Sequence, residues 1–114
     1  MPPSIVVVIR EDPHKTHRAV EALRIALGLS TGENPMTVVL LGQAPWLISE
    51  DSEDIVDGEI LEKYLPSFKQ LGIPFVLLSG SGSGFNLDPD FKVSELSKEA
   101  IQSMVAGADR VLVF

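Results

Sequence analysis

The chain has 114 residues, enough for one domain (1–114) with a real core, and 45 % apolar against 22 % charged residues is a globular composition rather than a disordered one. A net charge of −7 argues against a general binder of nucleic acid or of an anionic membrane, which needs clustered lysines and arginines. There is no cysteine, which excludes disulfides, thiolate metal sites, thiol nucleophiles and persulfide carriers within these residues. No apolar run approaches membrane-spanning length, and Met1-Pro2-Pro3-Ser4 lacks the basic and apolar regions of a signal peptide, so a cytoplasmic location is expected.

Ile5 to Ile9 is an unbroken β-branched run and reads as a strand covered on both faces, as in a parallel sheet. A polar turn from Arg10 to His17 follows and holds both histidines. Asp12 is placed to cap a helix with Pro13 at its first position. Ala19, Val20, Leu23, Ala26 and Leu27 form its apolar face, which Ala22, Ile25 and Leu29 widen. A helix this apolar suits cover by its own sheet and by a neighbouring subunit, with Ile25 and Leu29 as interface candidates.

After a turn cluster at residues 30–35, Met36 to Leu41 reads as a second strand ending at Gly42. Gln43 to Ile48 is a loop or short helical turn, with Trp46 a packing or interface anchor rather than a cofactor stack. Glu50, Asp51, Glu53, Asp54, Asp57, Glu59 and Glu62 follow without a base, which predicts an exposed loop leading into a helix. The run lacks the alternating ligands and central glycine of a calcium loop; it suits a solvated or partner-binding face better than a weak cation site.

Gly58 to Leu71 is the second helix, with Ile60, Leu61, Tyr64, Leu65, Phe68 and Leu71 on one face, a kink or restart expected at Pro66, and Gly72 as its stop. Ile73 to Leu78 is a third strand, and Ser79 to Gly84 a flexible Gly/Ser loop. Asn86 to Asp90 is a turn and Phe91 to Ser94 a short strand. Ser97 caps the last helix, with Leu96 and Ile101 placed as a hydrophobic staple; Ala100, Ile101, Met104 and Val105 face inward and Gly107 closes it. Arg110 to Phe114 is the final strand.

Strands alternating with helices predict a parallel or mostly parallel sheet with helices on both faces. Ligands in such folds bind beyond the carboxyl ends of strands, near a switch in strand order, which would gather the loops at 10–17, 42–46 and 79–86. The candidate ligand-binding residues there are His14, Lys15, Thr16 and His17, whose helix start suits an anion, and Ser79, Gly80, Ser81 and Gly82. The plainer alternatives are an exposed first turn, with His17 and Glu21 an ordinary helical pair, and a mobile connection at the glycines. Gly80, Gly82 and Gly84 match neither a P-loop nor a dinucleotide fingerprint. A hydrolytic set of Ser79, His14 and Asp12 has no nucleophile-elbow signature behind it. No catalytic residue, metal ligand set or cofactor is assigned.

Three stretches taken together resemble the DsrE/DsrF-like sulfur-relay family, which includes the TusB, TusC and TusD subunits. They are Pro13-His14-Lys15-Thr16 with the Ala-rich helix at 18–29, similar to the DsrF/TusC branch; Tyr64-Leu65-Pro66-Ser67-Phe68-Lys69-Gln70-Leu71-Gly72; and Phe91-Lys92-Val93-Ser94 through the closing Asp109-Arg110-Val111-Leu112-Val113-Phe114. The resemblance implies a three-layer, flavodoxin-like α/β fold with a five-stranded sheet. It also implies a trimer or hexamer, of identical chains or with DsrE-like paralogues. Active members carry persulfide on a cysteine after the third strand, where this chain has Leu78-Ser79-Gly80-Ser81. A serine hydroxyl does not hold sulfane sulfur, so that role is not carried over. The expected role is a non-catalytic structural or docking subunit. A small-anion or nucleotide-binding module is the alternative, and a histidine acid–base enzyme the third reading.

Overall fold

A computed structural model describes residues 4–30, 32, 34–50 and 54–114. The strands are β1 (Ile5–Ile9), β2 (Met36–Leu40), β3 (Phe75–Leu78), β4 (Val93–Leu96) and β5 (Arg110–Val113). The α-helices are α1 (Arg18–Ser30), α2 (Gly58–Leu71) and α3 (Lys98–Gly107), with short 3₁₀ turns at Ala44–Ile48 and Ser81–Gly84. The strands form one sheet in the order β4-β3-β2-β1-β5, and all four pairings are parallel. This is the expected three-layer, flavodoxin-like α/β fold.

Alternation along the strands assigns side chains to two layers. Ile5, Val7, Ile9, Val38, Leu40, Phe75 and Leu77 pack with α1 and α2, whose Leu23, Ala26, Leu61 and Phe68 are buried among them. Val6, Val8, Val39 and Val76 face the other way, onto Ile101 of α3. The central strands β1 and β2 are thus buried on both faces, which is why they read as continuous apolar runs.

Several local expectations change. Helix α1 begins at Arg18, not after Asp12. The Asp12 carboxylate accepts the N–H of His14 and its carbonyl accepts those of Lys15 and Thr16, so Asp12 builds a separate turn. Thr16 Oγ1 then accepts the N–H of Arg18 at the true helix start. Glu21 bonds Arg24 on the outer face of α1, and the expected partner His17 adds a weaker attraction to the same carboxylate. Helix α2 runs through Pro66 without a restart, and Gly72 ends it at φ 65°, accepting the left-handed turn that a side chain resists. Ile60 (40 % exposed) and Leu71 (58 %), at either end of α2, lie outside the buried stripe. Strand β2 stops at Leu40, and β3 starts at Phe75 after Ile73 and Pro74. Strand β4 lies two residues later than expected, because Phe91 is buried edge-on to Phe75 from the preceding turn rather than paired in the sheet. The Ser97 hydroxyl caps α3 as expected, accepting the N–H of Ala100, and Leu96 packs in the same layer as Ile101. Of the acidic run, Asp51 and Glu53 lie outside the described residues.

Candidate functional site

The parallel strands send their connections out at one end of the sheet, and three of these loops are tied to one another there. The carbonyl of Pro13 accepts the N–H of Val56 at 2.9 Å. Glu50 donates its N–H to Asn86 and Asp88 donates to Ile48, both at 2.9 Å, around an antiparallel bridge between Ser49 and Leu87. The segment at 10–17 is therefore held against Val56, and the segment at 79–88 against residues 48–50.

Trp46 forms the centre of this cluster. Its ring meets that of His14 edge-on, with centroids 5.5 Å apart, and that of Phe85 edge-on at 5.2 Å. Such contacts are worth about 0.5–1.5 kcal/mol each beyond the area they bury. The indole N–H donates to Gln43 Oε1 at 3.0 Å, fixing the ring from below its own turn. Trp46 is half-buried, so one part of the ring remains open to solvent.

His14 is oriented by Asp12. The Asp12 Oδ1 atom accepts the His14 backbone N–H at 2.9 Å and lies 3.0 Å from Nδ1. An ionised carboxylate only accepts, so the proton at this contact sits on Nδ1. The His14 backbone N–H holds the Asp12 carboxyl below its ordinary value against a smaller opposing effect of burial; the imidazole and Lys15 add to the lowering.

The other expected site residues separate. Lys15 and His17 are exposed, and Thr16 is spent on the start of α1. At the Gly/Ser loop Ser79 and Gly80 are exposed, and the hydroxyls of Ser81 and Ser83 donate to the carbonyls of Leu78 and Gly80. The amides of Gly80 and Gly82 converge on a single acceptor, Glu95 Oε1, at 2.8 and 3.4 Å. Two neighbouring amides aimed at one point make an anion cradle, and here the chain's own carboxylate fills it. The amides of His14, Lys15 and Thr16 are likewise taken up by Asp12. Asp12 and His14 are paired, but no hydrogen bond joins either to Ser79, so the hydrolytic set is not assembled. Ile25 and Leu29 are half-buried on α1.

Sequence reasoning missed Phe85, Gln43 and Glu95. Phe85 stood one residue beyond the Gly/Ser loop and carried no pattern of its own; only the fold sets it on Trp46. A cleft of about 490 Å³ lies beside the start of α2, bordered by Glu50, Asp54, Glu59, Glu62 and Asp88. Among the described residues no group of three or more such side chains is placed to hold a metal ion. Lys69 bonds Asp88 at 2.7 Å; that bond raises the Lys69 amine and lowers the Asp88 carboxyl from their ordinary values.

Fold and loop cluster together define a three-layer flavodoxin-like α/β domain whose connections are pinned at the carboxyl ends of β1, β2 and β3. In this architecture the chain is similar to the YchN protein from E. coli, with a TM-score of 0.78 over 100 % of both chains at 19 % sequence identity. At that identity the likeness is one of fold. No protein-family model and no curated protein matches the sequence. No helix among the described residues is long and apolar enough to cross a membrane.

Proposed function

We propose that this chain is a DsrE/DsrF-like protein serving as a non-catalytic structural or docking subunit of a sulfur-relay type assembly. The observation that carries the reading is the pairing of a whole-chain fold likeness with a third-strand loop that has no cysteine. Ser79 stands at that loop and is exposed. A hydroxyl there neither forms nor passes on a persulfide, so the chain contributes surface rather than sulfur chemistry. Its partners would be copies of itself or cysteine-bearing paralogues. Ile25, Leu29 and Trp46 remain candidate contacts, each half-buried.

The small-anion reading has less support, because the amides best placed for an anion already bond Asp12 and Glu95. The Asp12–His14 pair is the single observation that favours a histidine acid–base role, and none of the described clefts is lined by His14.

Affinity capture with the tagged chain, read by mass spectrometry, tests the proposal. A cysteine-bearing DsrE-like protein should be retained in fixed ratio. Persulfide should label that partner and never this chain. A chain that captures no such paralogue and runs as a monomer by light scattering contradicts the assigned role.

A further inference from the structure

Residues 80–85 form a strap beyond the carboxyl end of β3, fixed at both ends and lightly held in between. At its start the N–H of Ser79 donates to the carbonyl of Leu96 at 2.8 Å, continuing the pairing of β3 with β4. Beyond its end the carbonyl of Asn86 accepts the N–H of Glu50, and Asp88 donates to Ile48. Between these anchors no residue from 78 to 86 is buried. The hydroxyls of Ser81 and Ser83 and the N–H of Phe85 donate to Leu78, Gly80 and Gly82, all within the same stretch. Among the described residues, the one side chain from elsewhere that hydrogen-bonds the strap is that of Glu95.

Glu95 lies on the edge strand β4, in register with Leu77 near the end of β3. Its Oε1 atom accepts the N–H of Gly80 at 2.8 Å and that of Gly82 at 3.4 Å. A carboxylate on backbone amides is a charge-assisted contact, stronger than a neutral one. Against it stands the ordering of glycine, which loses more backbone freedom than any other residue; Gly80 is fixed at φ 87°. Two opposed effects on exposed backbone, without a buried anchor, allow this segment to open locally while the fold stays intact. The strap carries Phe85. Its N–H bonds the Gly82 carbonyl at 3.1 Å, and its ring meets Trp46 edge-on at 5.2 Å.

We propose that residues 80–85 are a hinged lid on the Trp46 ring and that Glu95 is its latch. Closed, the carboxylate fixes the Gly80–Gly82 turn and through it sets Phe85 against the indole. Opened, Phe85 withdraws and the indole gains exposure beside His14, at the end of the sheet where open parallel sheets take their ligands. No covalent bond is made or broken, and the device does not rest on the proposed subunit role.

Trp46 is the single tryptophan of the chain, so its emission reports the lid directly. Glu95→Ala should speed hydrogen exchange at the Gly80 and Gly82 amides about tenfold, the equivalent of one charge-assisted hydrogen bond. It should also raise acrylamide quenching of Trp46 toward the level of Phe85→Ala, which uncovers the ring without touching the latch. Glu95→Gln keeps the acceptor oxygen without the charge and should fall between wild type and Glu95→Ala in both readouts; it carries the test alone if Glu95→Ala folds poorly by circular dichroism. Exchange in β1 should not change. Wild-type exchange at Gly80 and Gly82 in these variants overturns the latch. Faster exchange there with wild-type quenching of Trp46 overturns the lid, since the strap would then move without Phe85. An equal acceleration in β1 overturns both, because Glu95 would be a contact for the stability of the whole domain.

Discussion

The two faces of the sheet are almost equally apolar in sequence and are covered very differently. On the first, Val7, Ile9, Val38, Leu40, Phe75 and Leu77 are fully shielded by two helices, α1 and α2. On the second, α3 alone covers five strands, and it buries a single residue of its own, Ile101. Val113 is 50 % exposed and Leu78 38 %, on opposite flanks of that helix. The reason lies in the connections. The crossovers β1 to β2 and β2 to β3 run in one direction and place their helices on one side. The link from β3 to β4 holds only a 3₁₀ turn. The return from β4 to β5 crosses in the opposite direction and puts α3 on the other side. A strand's hydrophobicity therefore reports that it belongs to a sheet, not that each of its faces is covered within the chain.

The largest effect should separate the faces outright. Phe68→Ala, in the layer under α2, should cost about 3–5 kcal/mol in urea unfolding, the range for deleting a buried aromatic ring. An intermediate effect belongs to Lys69→Met, which removes the tie between α2 and the turn at Asp88. Both side chains are partly exposed, at 33 % and 20 %, so solvent screening limits the loss to about 1 kcal/mol.

The pH dependence of that loss sharpens the assignment. Asp88 is held below its ordinary value of 3.8, so its contribution is present above that value and disappears as the pH falls through the lowered one. Lys69 is raised above 10.5, so its contribution is present below 10.5 and disappears as the pH rises through the raised value. The difference between wild type and variant should be flat near neutrality and shrink at both extremes. A difference that changes with pH near neutrality would assign the tie to other groups.

The smallest effect is expected at Val113→Ser, within about 0.5 kcal/mol, as for an exposed position. A loss above about 1.5 kcal/mol there would break the comparison, because it would mean that the second face is covered in solution.

Much of the fold was legible in the residues. The β-branched run Ile5 to Ile9, the stop at Gly72 and the cap at Ser97 each carry a local physical cause, and each stands where expected. Asp12 shows the limit of such signals. A carboxylate that accepts a nearby amide serves a helix cap and an independent turn equally well, and the chemistry at one residue does not choose between them. Phe91 is a second case: an apolar residue signals burial, and burial in a turn looks like burial in a strand. The candidate site was half legible. His14 could be singled out as titratable beside a turn, but its contact with Trp46, and Trp46 with Phe85, joins residues far apart in the chain.

By itself, then, the amino-acid sequence determined the number and kind of elements, the acidic balance, and the absence of any thiol to carry sulfur. These follow from local periodicity and from residue chemistry, which no folding can supply or remove. Only the tertiary structure decided which face of the sheet is left open and that Glu95 fills the Gly80–Gly82 cradle. Those depend on the hand and direction of the crossovers, which place side chains from distant parts of the chain together and leave others without cover.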